Sequence, residues 1–174
     1  MASEVARLPR AETKVSDLGA VYWHGVLSGI LGAAAVAVWF LYLDWARGRP
    51  LYTPTVLAYA LVGEREALSS LDELRGSVPM TLLFTAVHGF VFLVIGVAAS
   101  RLVDVLKRRF NLLLALVLFF VVLQLAFAAF AMTFSAVVME ALEWPDVVFG
   151  NAIAAALMAT HLVRGHPSLH PPED

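Results

Sequence analysis

Four stretches of this chain contain no Asp, Glu, Lys or Arg: residues 18–43, 76–100, 110–139 and 147–163, together more than half of the 174 residues. Each is dominated by Leu, Val, Ala and Phe, and about 20 such residues suffice to cross the hydrocarbon core of a bilayer as a helix. Lipid offers no hydrogen-bond partners, so a spanning segment must be a helix or a strand of a closed barrel. The runs are long and lack the strict alternation of barrel strands, which leaves helices. The expected fold class is all-α: an integral membrane four-helix bundle with spans at about 19–44, 79–104, 110–139 and 146–164. A polar N-terminus (1–17), a short interfacial helical connector between spans one and two, and a Pro/His-rich tail (166–174) complete the chain.

The 60% hydrophobic content and mean hydropathy of +0.80 exceed the roughly 45 to 50% apolar content of soluble domains. Lipid is therefore the expected partner, and nothing in the charge pattern points to nucleic acid. Too little chain remains outside the spans for a second domain. The absence of cysteine excludes disulfides, iron–sulfur clusters, Cys-ligated zinc and thiol catalysis. The first apolar run is too long for a secretory leader and is read as a retained span.

Orientation follows from Lys and Arg. With both termini cytoplasmic, that side holds Arg7, Arg10, Lys14, Arg101, Lys107, Arg108, Arg109 and Arg164, leaving Arg47, Arg49, Arg65 and Arg75 outside. The short basic connection Lys107-Arg108-Arg109 gives the strongest bias, so both termini are expected inside.

Between spans one and two, roughly residues 46–78, the pattern predicts two short interfacial helices. Thr53 would cap the first, with Pro54 in its first turn and Gly63 ending it; Ser70 and Glu73 have the spacing of a capping box for the second. The run Gly48-Arg49-Pro50-Leu51-Tyr52-Thr53-Pro54, just after Asp44, resembles a segment of uncharacterised bacterial four-span membrane proteins. That resemblance covers Gly25 to Gly63 and implies a bacterial inner-membrane protein; it brings no activity with it.

Small residues mark where helices approach. Gly25, Gly29 and Gly32, with Ser28 and Ala33, form one face of span one, and span four carries Gly150, Ala152, Ala154, Ala155, Ala156 and Ala159. Such faces permit close backbone contact in lipid. Spans one and four are expected to be neighbours, with a homodimer interface as the alternative use of the glycine face. Span four, the shortest and least hydrophobic, is placed inside the bundle.

Chemistry must rest on the few polar side chains within the spans. His88 and Gln124 lie at matching depths, which predicts a hydrogen-bonded midplane pair; the functional alternative makes His88 a proton relay or a haem or quinone contact. His24 and His161 fall near the same end of the bundle, where facing imidazoles are candidate haem or metal ligands. His166 and His170 in the tail are a weaker metal pair. Asp44, Glu140 and Asn151 form a candidate outer polar cluster able to attract cations or protons. No HExxH, P-loop, dinucleotide turn or Ser/His/Asp set is present.

These features imply a non-catalytic accessory or assembly subunit of a bacterial membrane complex, with no cofactor expected. The alternatives are a membrane redox protein binding haem b or quinone through its histidines, and a small transporter or proton-conducting protein.

Overall fold

A computed structural model of the chain describes residues 10–64, 66–69, 71–106, 111–134 and 141–165. Among these the protein is all-helical: α1 (Arg10–Ala46), α2 (Tyr52–Val62), a 3₁₀ turn (Ala67–Ser69), α3 (Val78–Leu106), α4 (Leu112–Phe134) and α5 (Trp144–Gly165). Four of the helices are long and apolar enough to cross a membrane, over Leu18–Ala46, Val78–Val103, Leu112–Thr133 and Trp144–Gly165. This is a multi-pass membrane protein, and its outward-facing Leu, Val and Phe side chains contact lipid.

The bundle has a definite neighbour order. α1 packs along both α3 and α5, and α5 packs along α4, whereas α3 and α4 share no extensive face among the described residues. α5 is the most enclosed, with 44% of its apolar window buried against 17% in each of the others. Its Ala154, Ala155, Met158, Ala159 and Leu162 have essentially no exposure. Alanines on this face let α1 and α4 approach from two sides, as van der Waals packing in lipid requires.

The glycine face of α1 is used differently from expectation. Spans one and four are neighbours, but Gly25 and Gly29 turn toward α3: a Cβ added at Gly25 would lie 2.7 Å from Val97 Cα, and one at Gly29 would lie 2.8 Å from Leu93 Cα. Gly96 of α3 answers them, its own Cα facing the backbone of Gly25 and Gly29. Only Gly32 meets α5, through Met158, and it also touches Phe92. The reason is reciprocity, because close approach needs a small residue on both helices, and α3 supplies Gly96 and Ser100 at a four-residue spacing. The Ser100 hydroxyl donates to Val21 O across this contact.

Among the described residues the connector holds one α-helix, α2, and a short 3₁₀ turn, rather than two α-helices. α2 begins at Tyr52, not at Pro54, and its cap residue is Leu51 in the left-handed region (φ 63°) without a side-chain cap bond. Gly63, at φ 77°, ends it as predicted. Beyond Gly63 the described chain makes a 3₁₀ turn and non-helical turns through Leu74. Ser70, half of the predicted capping box, lies outside the described residues. Thr55 fastens α2 to the start of α3: its hydroxyl donates to Leu51 O and accepts from Ser77 N–H at 2.8 Å.

Candidate functional site

At the end of the bundle that carries α2, the helices diverge around a cavity of about 370 Å³, within the range of roughly 300 to 1,000 Å³ typical of small-molecule sites. Its walls follow from the neighbour order. α1 and α5 form the back, with Val36, Phe40, Val147 and Asn151; α2 closes the end through Leu51, Thr53 and Leu57. α3 and α4 form the two sides through Phe84, His88 and Phe92 facing Leu123, Phe127 and Phe130. Among the described residues α3 and α4 do not pack extensively along each other, and Val87 and Val91, which line the cavity from α3, are also exposed at the surface of the bundle.

Asp44 sets the closed end. It is 2% exposed, and its two carboxylate oxygens accept from Thr53 N–H at 2.8 Å and from the Thr53 hydroxyl at 2.7 Å. A carboxylate from the end of span one thus caps the first turn of α2, where the helix dipole favours negative charge. Thr53 acts as a donor to Asp44, which is why it does not cap its own helix. Beside it Arg49 stacks on the Tyr52 ring, 3.6 Å from its centroid, and donates to Leu71 O. The Gly48–Pro54 segment is therefore the hinge that folds α2 back over the bundle. Its left-handed Gly48 and Leu51 are held in place by these flanking bonds.

Arg47 bridges α1 to the start of α5, donating to Asp146 at 2.6 Å and Glu143 at 3.2 Å. The Asp146 hydrogen bond raises the guanidinium's already high pKa, so Arg47 stays charged. Trp39 reinforces the same corner by donating its indole N–H to Asp146 O at 2.8 Å.

His88 lines the cavity, and its partner is not Gln124. Its Nε2 lies 3.3 Å from Ala33 O of α1, and its ring is flanked by Phe84 and Phe92, with centroids 5.5 and 4.6 Å away. Gln124 instead accepts from Asn151 Nδ2, 2.5 Å away. The expected midplane pair is thus replaced by two separate links, α3 to α1 and α4 to α5. Matching depth did not make a pair because α3 and α4 stand on opposite sides of the cavity. The expected outer cluster divides similarly: Asp44 is bound to Thr53 and Asn151 to Gln124, while Glu140 lies outside the described residues.

His24 and His161 do come together, with ring centroids 5.5 Å apart and planes inclined by 37°. This contact also places the start of span one and the end of span four at the same end of the bundle. The rings sit where α1 and α5 are already in contact, and Gly165 leaves room for His24: a Cβ there would lie 3.0 Å from its ring. A flat macrocycle between the imidazoles would have to part these helices. The geometry is that of a helix–helix contact. His166 and His170 lie outside the described residues.

No family model matches the chain, and neither a curated protein nor a solved structure matches it. The site must be read from its own geometry. Sequence inspection missed Thr55 and Gly96, and gave Thr53 and Ala33 other roles than the bonds to Asp44 and His88 they make. For Gly96 the signal was its four-residue spacing from Ser100, and for the cavity it was the Phe84, His88, Phe92 ladder at i, i+4, i+8, which puts three rings on one helix face.

Proposed function

We propose that this protein is a non-catalytic membrane component that takes up an apolar chain-bearing molecule sideways from the bilayer. The observation that carries the reading is the cavity itself, walled mainly by Phe, Leu and Val, bounded at one end by α2 and flanked by α3 and α4, which do not pack extensively along each other among the described residues. A space lined this way favours hydrocarbon over water, since its walls offer few hydrogen bonds to hydrate. Binding of such a molecule is compatible with service as an accessory subunit that presents or stores a lipid for a larger complex. The charge bias supports a topology with the α2 end outside a bacterial inner membrane. Cysteine introduced at exposed Glu64 should react with an impermeant thiol reagent in intact cells, while cysteine at Ser3 should not. The reverse labelling would invert the topology.

The test of binding is to fill the cavity. Ala126 lies on its α4 wall, so Ala126→Trp should remove most of the lipid that stays bound to the purified protein in native mass spectrometry. Ala129→Trp, at an exposed position of the same helix, should leave it unchanged. Equal retention in both variants would refute the reading.

A further inference from the structure

The cavity wall is apolar, yet it holds polar side chains, and their bonds define what a ligand can add. Thr53 and Asp44 are committed to each other. The Thr85 hydroxyl donates to Thr81 O, and Asn151 donates to Gln124. The Thr81 hydroxyl has no partner among the described residues, but the oxygen is sealed from contact. His88 is different. Ala33 O can only accept, so the 3.3 Å contact requires the proton on Nε2, and a neutral imidazole then carries a bare lone pair on Nδ1. The stack between Phe84 and Phe92 holds the ring in that orientation.

We infer that the ligand carries a hydroxyl group on its apolar chain and donates it to Nδ1 of His88. This rests on the reading that the cavity holds such a chain. A ligand with only carbonyl or ether oxygens would set acceptor against acceptor, and a pure hydrocarbon would leave the lone pair unsatisfied in an apolar wall. An ammonium group would bring an uncompensated charge among phenylalanines, at a cost that an uncharged hydroxyl avoids. A long-chain alcohol, a prenol or a phenol with an apolar tail all satisfy the same requirement.

The experiment compares 1-dodecanol with dodecyl methyl ether at equal mole fraction in the micelle, binding to the full chain being read by native mass spectrometry. The two differ in a methyl group that replaces the hydroxyl proton, so the ether can accept a hydrogen bond but not donate one. Wild type should bind the alcohol about tenfold more tightly, equivalent to about 1.4 kcal/mol. His88→Phe keeps an aromatic ring in the stack and removes both nitrogens, so the ratio should fall to near one with affinity for the ether little changed. Equal binding of both ligands by wild type, or a preference that survives in His88→Phe, would overturn the hydroxyl inference while leaving the apolar cavity reading intact. Failure of wild type to bind either ligand would overturn both. If His88→Phe does not fold, the wild-type ratio alone decides, and a ratio near one ends the proposal.

Discussion

Gly29→Ala should lower the stability of the solubilised protein by about 2 to 3 kcal/mol, near the top of the usual range for overpacking, whereas Gly89→Ala should raise it by about 0.5 to 1 kcal/mol. Both are glycines in the interior of spanning helices, and both gain helix propensity from a methyl group. They differ in what that methyl meets. At Gly29 it would lie 2.8 Å from Leu93 Cα and 2.9 Å from Phe92 C, backbone atoms of α3 that move only if the helices separate. At Gly89 nothing lies within 4 Å, so the propensity gain stands alone. Separation at Gly29 would also loosen the Gly25–Gly96 contact and the Ser100 bond to Val21, since all of them share one interface. Gly29→Leu should go further and abolish folded yield. The midpoint of thermal unfolding in detergent, followed by size-exclusion chromatography, measures the contrast. Indistinguishable midpoints for the two alanine variants would mean that α1 and α3 do not approach this closely.

The spans were legible in the sequence because the constraint that creates them is local. Lipid excludes charge, and the charge-free runs lie within a few residues of the spanning segments seen. The enclosure of α5 was legible for a similar reason, since Ala and Gly are useful to a helix only where something packs on them. Pairing was harder to read. Gly25 and Gly29 announce a close contact without naming its partner, and α3 won over α5 because Gly96 lies opposite them. His88 and Gln124 were matched by depth alone, a one-dimensional measure, while azimuth around the bundle decides which groups meet. α3 faces α1 at Ala33 and α4 faces α5 at Asn151, and the cavity lies between the two links. Such a cavity is a property of four helix directions at once. The sequence shows it only indirectly, as phenylalanines at Phe84 and Phe92 that sit on the same face as a histidine.

The connector was misread for a different reason. Thr53 ahead of an apolar run satisfies every local rule for a helix cap, but its donors are claimed by a carboxylate nine positions upstream. Local rules treat a helix start as isolated from the chain before it. Here Asp44 ends one helix and caps the next, and the intervening turn is bent tightly enough, through left-handed Gly48 and Leu51, to bring the two together.

Asp44→Ala should therefore loosen the start of α2. Each hydrogen bond to a charged group contributes about 1.5 to 3 kcal/mol, and the alanine removes two, leaving the Thr53 N–H and hydroxyl without acceptors beside the apolar cavity. The loss should be local. α2 is held separately at its side by the Thr55 link to Ser77 and by the burial of Val56, Leu57 and Ala60, so the four spans should remain folded while the first turn of α2 frays. Hydrogen exchange followed by mass spectrometry should show faster exchange across Tyr52–Val62 with α3 and α5 amides unchanged. Thr53→Val removes only the hydroxyl bond and Asp44→Asn keeps one acceptor oxygen, so both should show an intermediate increase. A role for Asp44 as a cation or proton site leads to another order: Asp44→Asn, with the charge gone and the shape kept, would then match Asp44→Ala in any transport or ion-binding assay while α2 stayed protected. Unchanged exchange across α2 in Asp44→Ala would refute the cap and leave α2 held by apolar contact alone. Faster exchange accompanied by loss of bound lipid, as in Ala126→Trp, would show that the closed end of the cavity depends on a single carboxylate at the end of span one.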